Sequence, residues 1–340
     1  MGRRPRLQWD GGSAAMKVLC TETMSVAAME QLKKVAEVVI LKDRSASGYR
    51  SAIADADFLV VRNKLPDDIF QHAARLRGVV RHGTGLDLIP VDAATALGIP
   101  VANVPGANAQ AVVEYYVSAM LAFARPLARM EATIRAQGWD AGRALTSMAT
   151  QLSGKTLGVV GVGTIGQGLA QACIAGFGMQ VLGLQRAGIA LPDNVRAASL
   201  ADLLANSEYV ALCCPLTDET RGMIGAKELQ GMKKDAVLLN AARGAIVDER
   251  ALVDALREKR IRGAALDVYA SQPLDRDHAF FELDNVLLTP HVAGVTAESF
   301  NDMSSGTVKQ LLQMMAGERP EYLVNPEAWP GRCALRGGRA

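Results

Sequence analysis

Three short segments carry side chains and spacings suited to chemistry on a small charged ligand. Gly161, Gly163 and Gly166 fall in Leu157-Gly-Val-Val-Gly-Val-Gly-Thr-Ile-Gly, a GxGxxG spacing between a β-branched run and a helical one. In that setting the first glycine permits a tight turn, the second lets backbone approach a pyrophosphate, and the third lets helix and strand pack closely. Thr164 and Ile165 open the helix, whose free N–H groups and dipole favour phosphate charge. A bare GxGxxG is weak evidence. The preceding strand and following amphipathic helix make dinucleotide binding the better reading than a Gly-rich turn.

The other two segments hold an arginine and a histidine. Arg243 follows an apolar strand-like run and is flanked by Gly244, in a loop from which a guanidinium can reach a ligand. Its fork matches a carboxylate and can polarise a carbonyl oxygen. His291 follows Thr289-Pro290 at a strand end, the usual place for ligand-facing residues in open α/β sheets. An imidazole there can exchange a proton near neutral pH. His72, His82 and His278 lack such context and read as surface or structural residues.

The strand after the glycine turn should end on the residue that reads the adenosine ribose. An acidic side chain would serve NAD. The chain offers Gln185 and Arg186 instead. Without a carboxylate a 2′-phosphate is not repelled, and Arg186 can pair with it, so NADP is favoured over NAD.

Around these segments, short β-branched runs such as Lys17–Cys20, Phe58–Val61, Thr156–Val160 and 286–289 alternate with helical stretches. That alternation predicts an α/β fold of two Rossmann-like or flavodoxin-like domains with parallel sheets, and an active site in the interdomain cleft. One helical stretch, 109–136, interrupts the pattern and reads as a linker helix, a buried core element or a dimer surface. Residues 16–106 with a returning C-terminal segment, 297–326, form the expected substrate domain, and 107–296 the dinucleotide-binding domain. Residues 1–15 read as a disordered extension and 327–340 as a flexible tail.

Length and composition restrict the alternatives. A chain of 340 residues is long for one core. A net charge of +2 and 5% aromatic residues give no reason to expect nucleic acid. No run of eighteen apolar residues suggests a membrane span, and the basic start has no apolar core, so it is not a secretory signal. Five cysteines without a CxxC pair read as small core hydrophobes in a reducing, cytoplasmic setting, with no metal site.

Asn240-Ala-Ala-Arg-Gly-Ala-Ile-Val-Asp, Ala265-Leu-Asp-Val-Tyr and Leu288-Thr-Pro-His-Val-Ala-Gly, in that order, resemble the signatures of D-2-hydroxyacid dehydrogenases. The resemblance implies an oxidoreductase moving a hydride between NAD(P)H and a small 2-keto or 2-hydroxy acid, glyoxylate or hydroxypyruvate first. It gives Arg243 the substrate carboxylate and carbonyl, and His291 the general acid/base role. Arg81-His-Gly-Thr-Gly-Leu-Asp resembles the family's substrate loop, with backbone near Gly83, Thr84 and Gly85 meeting the carboxylate; Arg62 and Asn63 resemble a second one. Pro215, Thr220, Ala241, Asp267 and Gly294 match cofactor-contacting positions. A homodimer built around 109–136 is also implied.

One position departs from the family. Gln272 stands where most members carry a glutamate that pairs with the histidine. A carboxylate favours imidazolium, whereas an amide can orient the ring but adds no charge. Three readings stay open: a reductase whose profile is shifted to acid, a different substrate, or a weakened enzyme. A Gln–His pair also resembles formate dehydrogenases, but the chain lacks that subgroup's longer N-terminal region. The rivals are a phosphoglycerate dehydrogenase-type enzyme and a weakly catalytic, cofactor-sensing binding protein of the same fold.

Overall fold

A computed structural model of the chain describes residues 16–186 and 188–329. The readings of residues 1–15, of the tail from 330 on and of Cys333 lie outside these residues. The chain divides into two compact units, one ending at Asn108 and resuming at Thr296, the other Ala109–Val295.

The first unit begins with β1 (Lys17–Cys20), α1 (Val26–Lys33), β2 (Glu37–Ile40), α2 (Ala46–Ile53) and β3 (Phe58–Val61). It continues with β4 (Gly78–Arg81), α3 (Val91–Ala96) and β5 (Val101–Ala102). Its strands form one parallel sheet in the order β2-β1-β3-β4-β5. β3 is buried along its whole length, as its continuous Phe-Leu-Val-Val run requires of a strand covered on both faces.

The second unit holds α4 (Ala109–Ala124), α5 (Leu127–Gln137), α6 (Trp139–Ala144), β6 (Thr156–Val160), α7 (Thr164–Phe177), β7 (Gln180–Leu184) and β8 (Arg196–Ala197). After these come α8 (Leu200–Asn206), β9 (Tyr209–Leu212), α9 (Ala226–Gly231), β10 (Val237–Asn240), α10 (Glu249–Arg257), β11 (Gly263–Leu266) and β12 (Val286–Leu288). Its sheet is parallel too, in the order β12-β11-β10-β9-β6-β7-β8. The chain then returns to the first unit as α11 (Ala297–Met315), whose Val308, Leu311 and Met314 are buried with Val18, Phe58 and Val80.

Two strand orders matter for function. Each sheet reverses direction of winding once, between β1 and β3 in the first unit and between β6 and β9 in the second. Open α/β sheets bind ligands beyond the carboxyl ends of their strands at such reversals.

The helix expected over 109–136 is two helices. Pro126 lacks an N–H and disfavours helical backbone in the residue before it, and it separates α4 from α5. The halves also differ in burial. α4 places Val112, Tyr116 and Met120 in the core beside Leu169, whereas α5 buries no residue. The chain also stays packed further than expected at its end: Ala328 is buried and Trp329 lies against the core of the first unit.

Candidate functional site

The GxGxxG turn occupies the reversal of the second sheet. Gly161 has φ +93°, and a Cβ there would meet Cys214 N at 2.7 Å, so the turn closes against the end of β9 only with glycine. A Cβ at Gly166 would lie 2.3 Å from the Gly161 carbonyl, which fixes how closely α7 sits on the turn. Gly163 differs from both: its Cβ would meet nothing within 4 Å. It is also the residue from which α7 starts, with no side chain capping the helix and no acidic residue in the first turn. Open space in front of uncapped N–H groups at a helix start fits a pyrophosphate.

Gln185, at the end of β7, is bonded to the glycine turn. Its amide oxygen accepts from Val162 N–H at 3.3 Å and its amide nitrogen donates to Val162 C=O at 3.1 Å. Both ends of the side chain are engaged in bracing the glycine turn. Arg186, next to it, is exposed. Of the remaining cofactor positions, Thr220 donates to Pro215 C=O at 2.7 Å and accepts from Thr217 N–H, closing the loop after β9. Ala241 N–H donates to the Tyr116 hydroxyl at 3.0 Å, and that hydroxyl donates to Leu212 C=O, tying the ends of β9 and β10.

Arg243 stands on a turn held by Asn240. The buried Asn240 amide donates to Arg243 C=O and accepts from Ala242 N–H, both at 3.0 Å. The Arg243 guanidinium is half-buried and donates to Ala242 C=O at 2.7 Å. A Cβ on the following Gly244 would fall 2.0–2.1 Å from the Tyr269 carbonyl group. The arginine loop is therefore pressed directly against the backbone that leads to Gln272.

His291 sits on the other side of this arrangement. Gln272 Oε1 lies 2.9 Å from His291 Nδ1, and because an amide oxygen only accepts, the ring nitrogen donates. In the neutral ring Nε2 is then the acceptor. His291 has φ +58°, uncommon for a residue other than glycine. Asp267 holds that conformation. Its carboxylate, nearly without exposure, accepts from Thr289 Oγ1 at 2.6 Å and from the Val292 and Ala293 N–H groups at 2.8 Å each. Thr289 has one hydroxyl proton and gives it to Asp267, so Tyr115, 2.9 Å away, donates to Thr289. Tyr269 donates to Thr289 C=O at 2.9 Å. The histidine loop is thus gripped on both flanks, with Gly294 just beyond the two anchored amides. A carboxylate offers about four acceptor positions, so Asp267 keeps capacity for one more donor.

The first unit has its own cluster at the sheet reversal. The Thr21 hydroxyl accepts from Arg62 N–H at 2.8 Å and Asn63 N–H at 3.4 Å, joining the ends of β1 and β3. The Gly83–Gly85 loop is pinned by Arg81, which donates to Gly85 C=O at 3.0 Å and to Val61 C=O at 3.0 Å. Val104 N–H donates to Gly83 C=O at 3.0 Å, and Asn103 to Thr84 C=O at 2.9 Å. Gly83 has φ +129°, open to glycine and strained for other residues. His82 is buried beneath this loop, with Nε2 2.9 Å from Ser304 Oγ. Burial, with Arg62 and Arg81 nearby, pushes its pKa down to about 3, so the ring is neutral.

Asn240, Tyr115, Tyr116 and Tyr269 support the site and were not singled out from the sequence. Asn240 opened a quoted motif but carried no visible role. The two adjacent tyrosines lay in the segment read as a linker. Among the described residues Cys20, Cys173 and Cys214 are buried and Cys213 half-buried, all as free thiols, with burial pushing each pKa up. No helix of the described residues is long and apolar enough to cross a membrane.

A parallel sheet with this glycine turn at its reversal, in a unit that also carries a loop arginine and a buttressed histidine, is the arrangement of a dinucleotide-binding oxidoreductase domain. Residues 117–293 match the family model described as D-isomer specific 2-hydroxyacid dehydrogenase, NAD binding domain. The chain is 36% identical to a D-3-phosphoglycerate dehydrogenase of Methanocaldococcus jannaschii, over 91% of the chain but only 59% of that enzyme. It is 36% identical to a glyoxylate reductase of Aeropyrum pernix, over 92% of the chain and 96% of the relative. A crystal structure of a protein from Thermus thermophilus superposes with a TM-score of 0.84 at 32% identity, covering 91% of this chain and 100% of that one. The chain belongs to the D-isomer specific 2-hydroxyacid dehydrogenase family, oxidoreductases that act on CH–OH groups with NAD or NADP.

Proposed function

We propose that the chain reduces small 2-oxo acids of the glyoxylate and hydroxypyruvate type, with NADP(H) preferred. The observation that carries this reading is the hydrogen bond from His291 to Gln272 beside an arginine loop locked against the same backbone. A bound nicotinamide supplies or takes up the hydride. Arg243 binds the substrate carboxylate and polarises its carbonyl. His291, oriented through Nδ1, holds at Nε2 the proton that goes to the oxygen during reduction and takes it back during oxidation. The resemblance also assigns the amides of Gly83, Thr84 and Gly85, together with Arg62 and Asn63, to substrate binding. Gly161, Gly163, Thr164, Ile165 and Gly166 would hold the cofactor's pyrophosphate, and the resemblance assigns Pro215, Thr220, Ala241, Asp267 and Gly294 to further contacts with the cofactor.

The preference for NADP rests on Arg186 alone, because Gln185 is engaged by Val162 and no carboxylate stands in its place. The full chain, assayed with both cofactors against a panel of 2-oxo acids, tests the reading. Turnover of glyoxylate or hydroxypyruvate supports it. Negligible turnover of every acid would instead favour a cofactor-sensing binding protein.

The same resemblance supports a homodimer, and an exposed apolar surface following α4 is the candidate for its interface. Exposed apolar side chains gather on α5, α6 and the turn after them: Leu127 (62% exposed), Ile134, Trp139 (68%) and Met148. Light scattering on Trp139→Glu should then report monomer where the parent chain reports dimer.

A further inference from the structure

We infer that Glu22 is a specificity-determining residue: it occupies Arg62 and so selects against substrates that carry a second anionic group. The inference rests on the reaction class proposed above and narrows it to 2-oxo acids whose only charge is the carboxylate.

Glu22 follows β1 at the reversal of the first sheet, and Arg62 follows β3 across it. A ligand in this unit's strand-end position would therefore meet the two side chains together. They are already paired. Glu22 Oε2 lies 3.2 Å from Arg62 Nη1, and Glu22 Oε1 lies 3.0 Å from Arg44 and accepts from the Asn63 amide at 3.1 Å. Arg62 Nη1 also donates to Thr23 C=O at 2.8 Å, and the guanidinium sits 5.1 Å above the centre of the Phe300 ring. A carboxylate, a carbonyl and an aromatic ring thus fix the arginine in place.

Two consequences follow for a ligand. A phosphate or second carboxylate reaching for Arg62 must displace Glu22 or lie beside it, and like charges a few ångströms apart repel. The buried His82 ring, neutral above a pKa of about 3, adds no cation to offset that repulsion. Lys64 is exposed on the same loop and remains a weakly held, solvated charge. An uncharged hydroxymethyl group or a hydrogen at the same position meets no such penalty. Glu22 thus acts by exclusion rather than by contact with the substrate.

Calorimetry on the full chain with saturating NADPH tests this, using D-glycerate and 3-phospho-D-glycerate as probes. Glu22→Gln keeps the shape and removes the charge. It is expected to improve binding of the phosphorylated acid relative to D-glycerate by about tenfold. The double variant E22Q/R62Q should lose that gain, because the freed guanidinium produces it. If E22Q does not yield folded protein, E22D, with its shorter reach, should give a smaller gain in the same direction. A ratio within about twofold of the parent chain, or a gain that survives in E22Q/R62Q, overturns the proposal. Turnover of hydroxypyruvate by the parent chain is measured separately: its absence removes the reaction class, while the binding ratio alone judges Glu22.

Discussion

His291 Nδ1 donates to Gln272 Oε1 across 2.9 Å, a bond that orients the ring proposed above as the general acid/base. An amide orients the ring as a carboxylate would but adds no negative charge. Replacing Gln272 with Glu should extend the proton-donating form to higher pH. The descending limb of kcat/KM against pH, followed in 2-oxo acid reduction, should move up by about one unit in Gln272→Glu. An unmoved profile would remove the electrostatic role assigned to this position.

Two glycines of the turn are expected to separate folding from cofactor binding. Gly161→Ala forces a Cβ into Cys214 backbone at a positive φ, and should cost more than about 2 kcal/mol in urea unfolding. Gly163→Ala enters open space, so it should cost under about 1 kcal/mol and raise the KM for cofactor by about tenfold or more. Equal loss of stability in both variants would contradict the assignment.

Arg186 is expected to carry the choice of cofactor. Arg186→Glu places a carboxylate near the ribose edge, and should lower kcat/KM for NADPH by about 100-fold while sparing NADH. A parallel loss with both cofactors would place the arginine in a structural role instead.

Much of this architecture is legible in the sequence because parallel strands buried on both faces leave continuous apolar runs, and glycine motifs mark backbone that must pass close to something. β5 and β8 are not, since two residues show no period. The break at Pro126 is masked because apolar residues recur on both sides of it, in α4 and again in α5. The bracing of the turn by Gln185 is not legible for a different reason: an uncharged amide at the end of β7 can pair with backbone, and both of its ends engage Val162. The supports of the site, Asn240, Tyr116 and Tyr269, act on backbone groups that no spacing within one segment announces.

His82 links stability to pH. Its ring is held neutral, with a pKa of about 3 against 6.5 for an ordinary imidazole. As pH falls below 6.5 the unfolded chain binds the proton and the folded chain does not. Its contribution is thus complete above 6.5 and is lost progressively down to about 3. Urea unfolding should show about 2 kcal/mol of this loss between pH 7 and 5, absent in His82→Gln. The same slope in both proteins would show that His82 does not remain neutral.

Hydride transfer to C2 of a 2-oxo acid is the central claim, and isotope tracing tests it most directly. NADPH carrying deuterium at the transferred nicotinamide C4 position, incubated with hydroxypyruvate and the full chain, should yield D-glycerate with one deuterium at C2. The label should appear at a rate that His291→Asn or Arg243→Gln reduces by at least about 100-fold. Glycerate without label, or labelled product formed equally fast by both variants, would contradict the account.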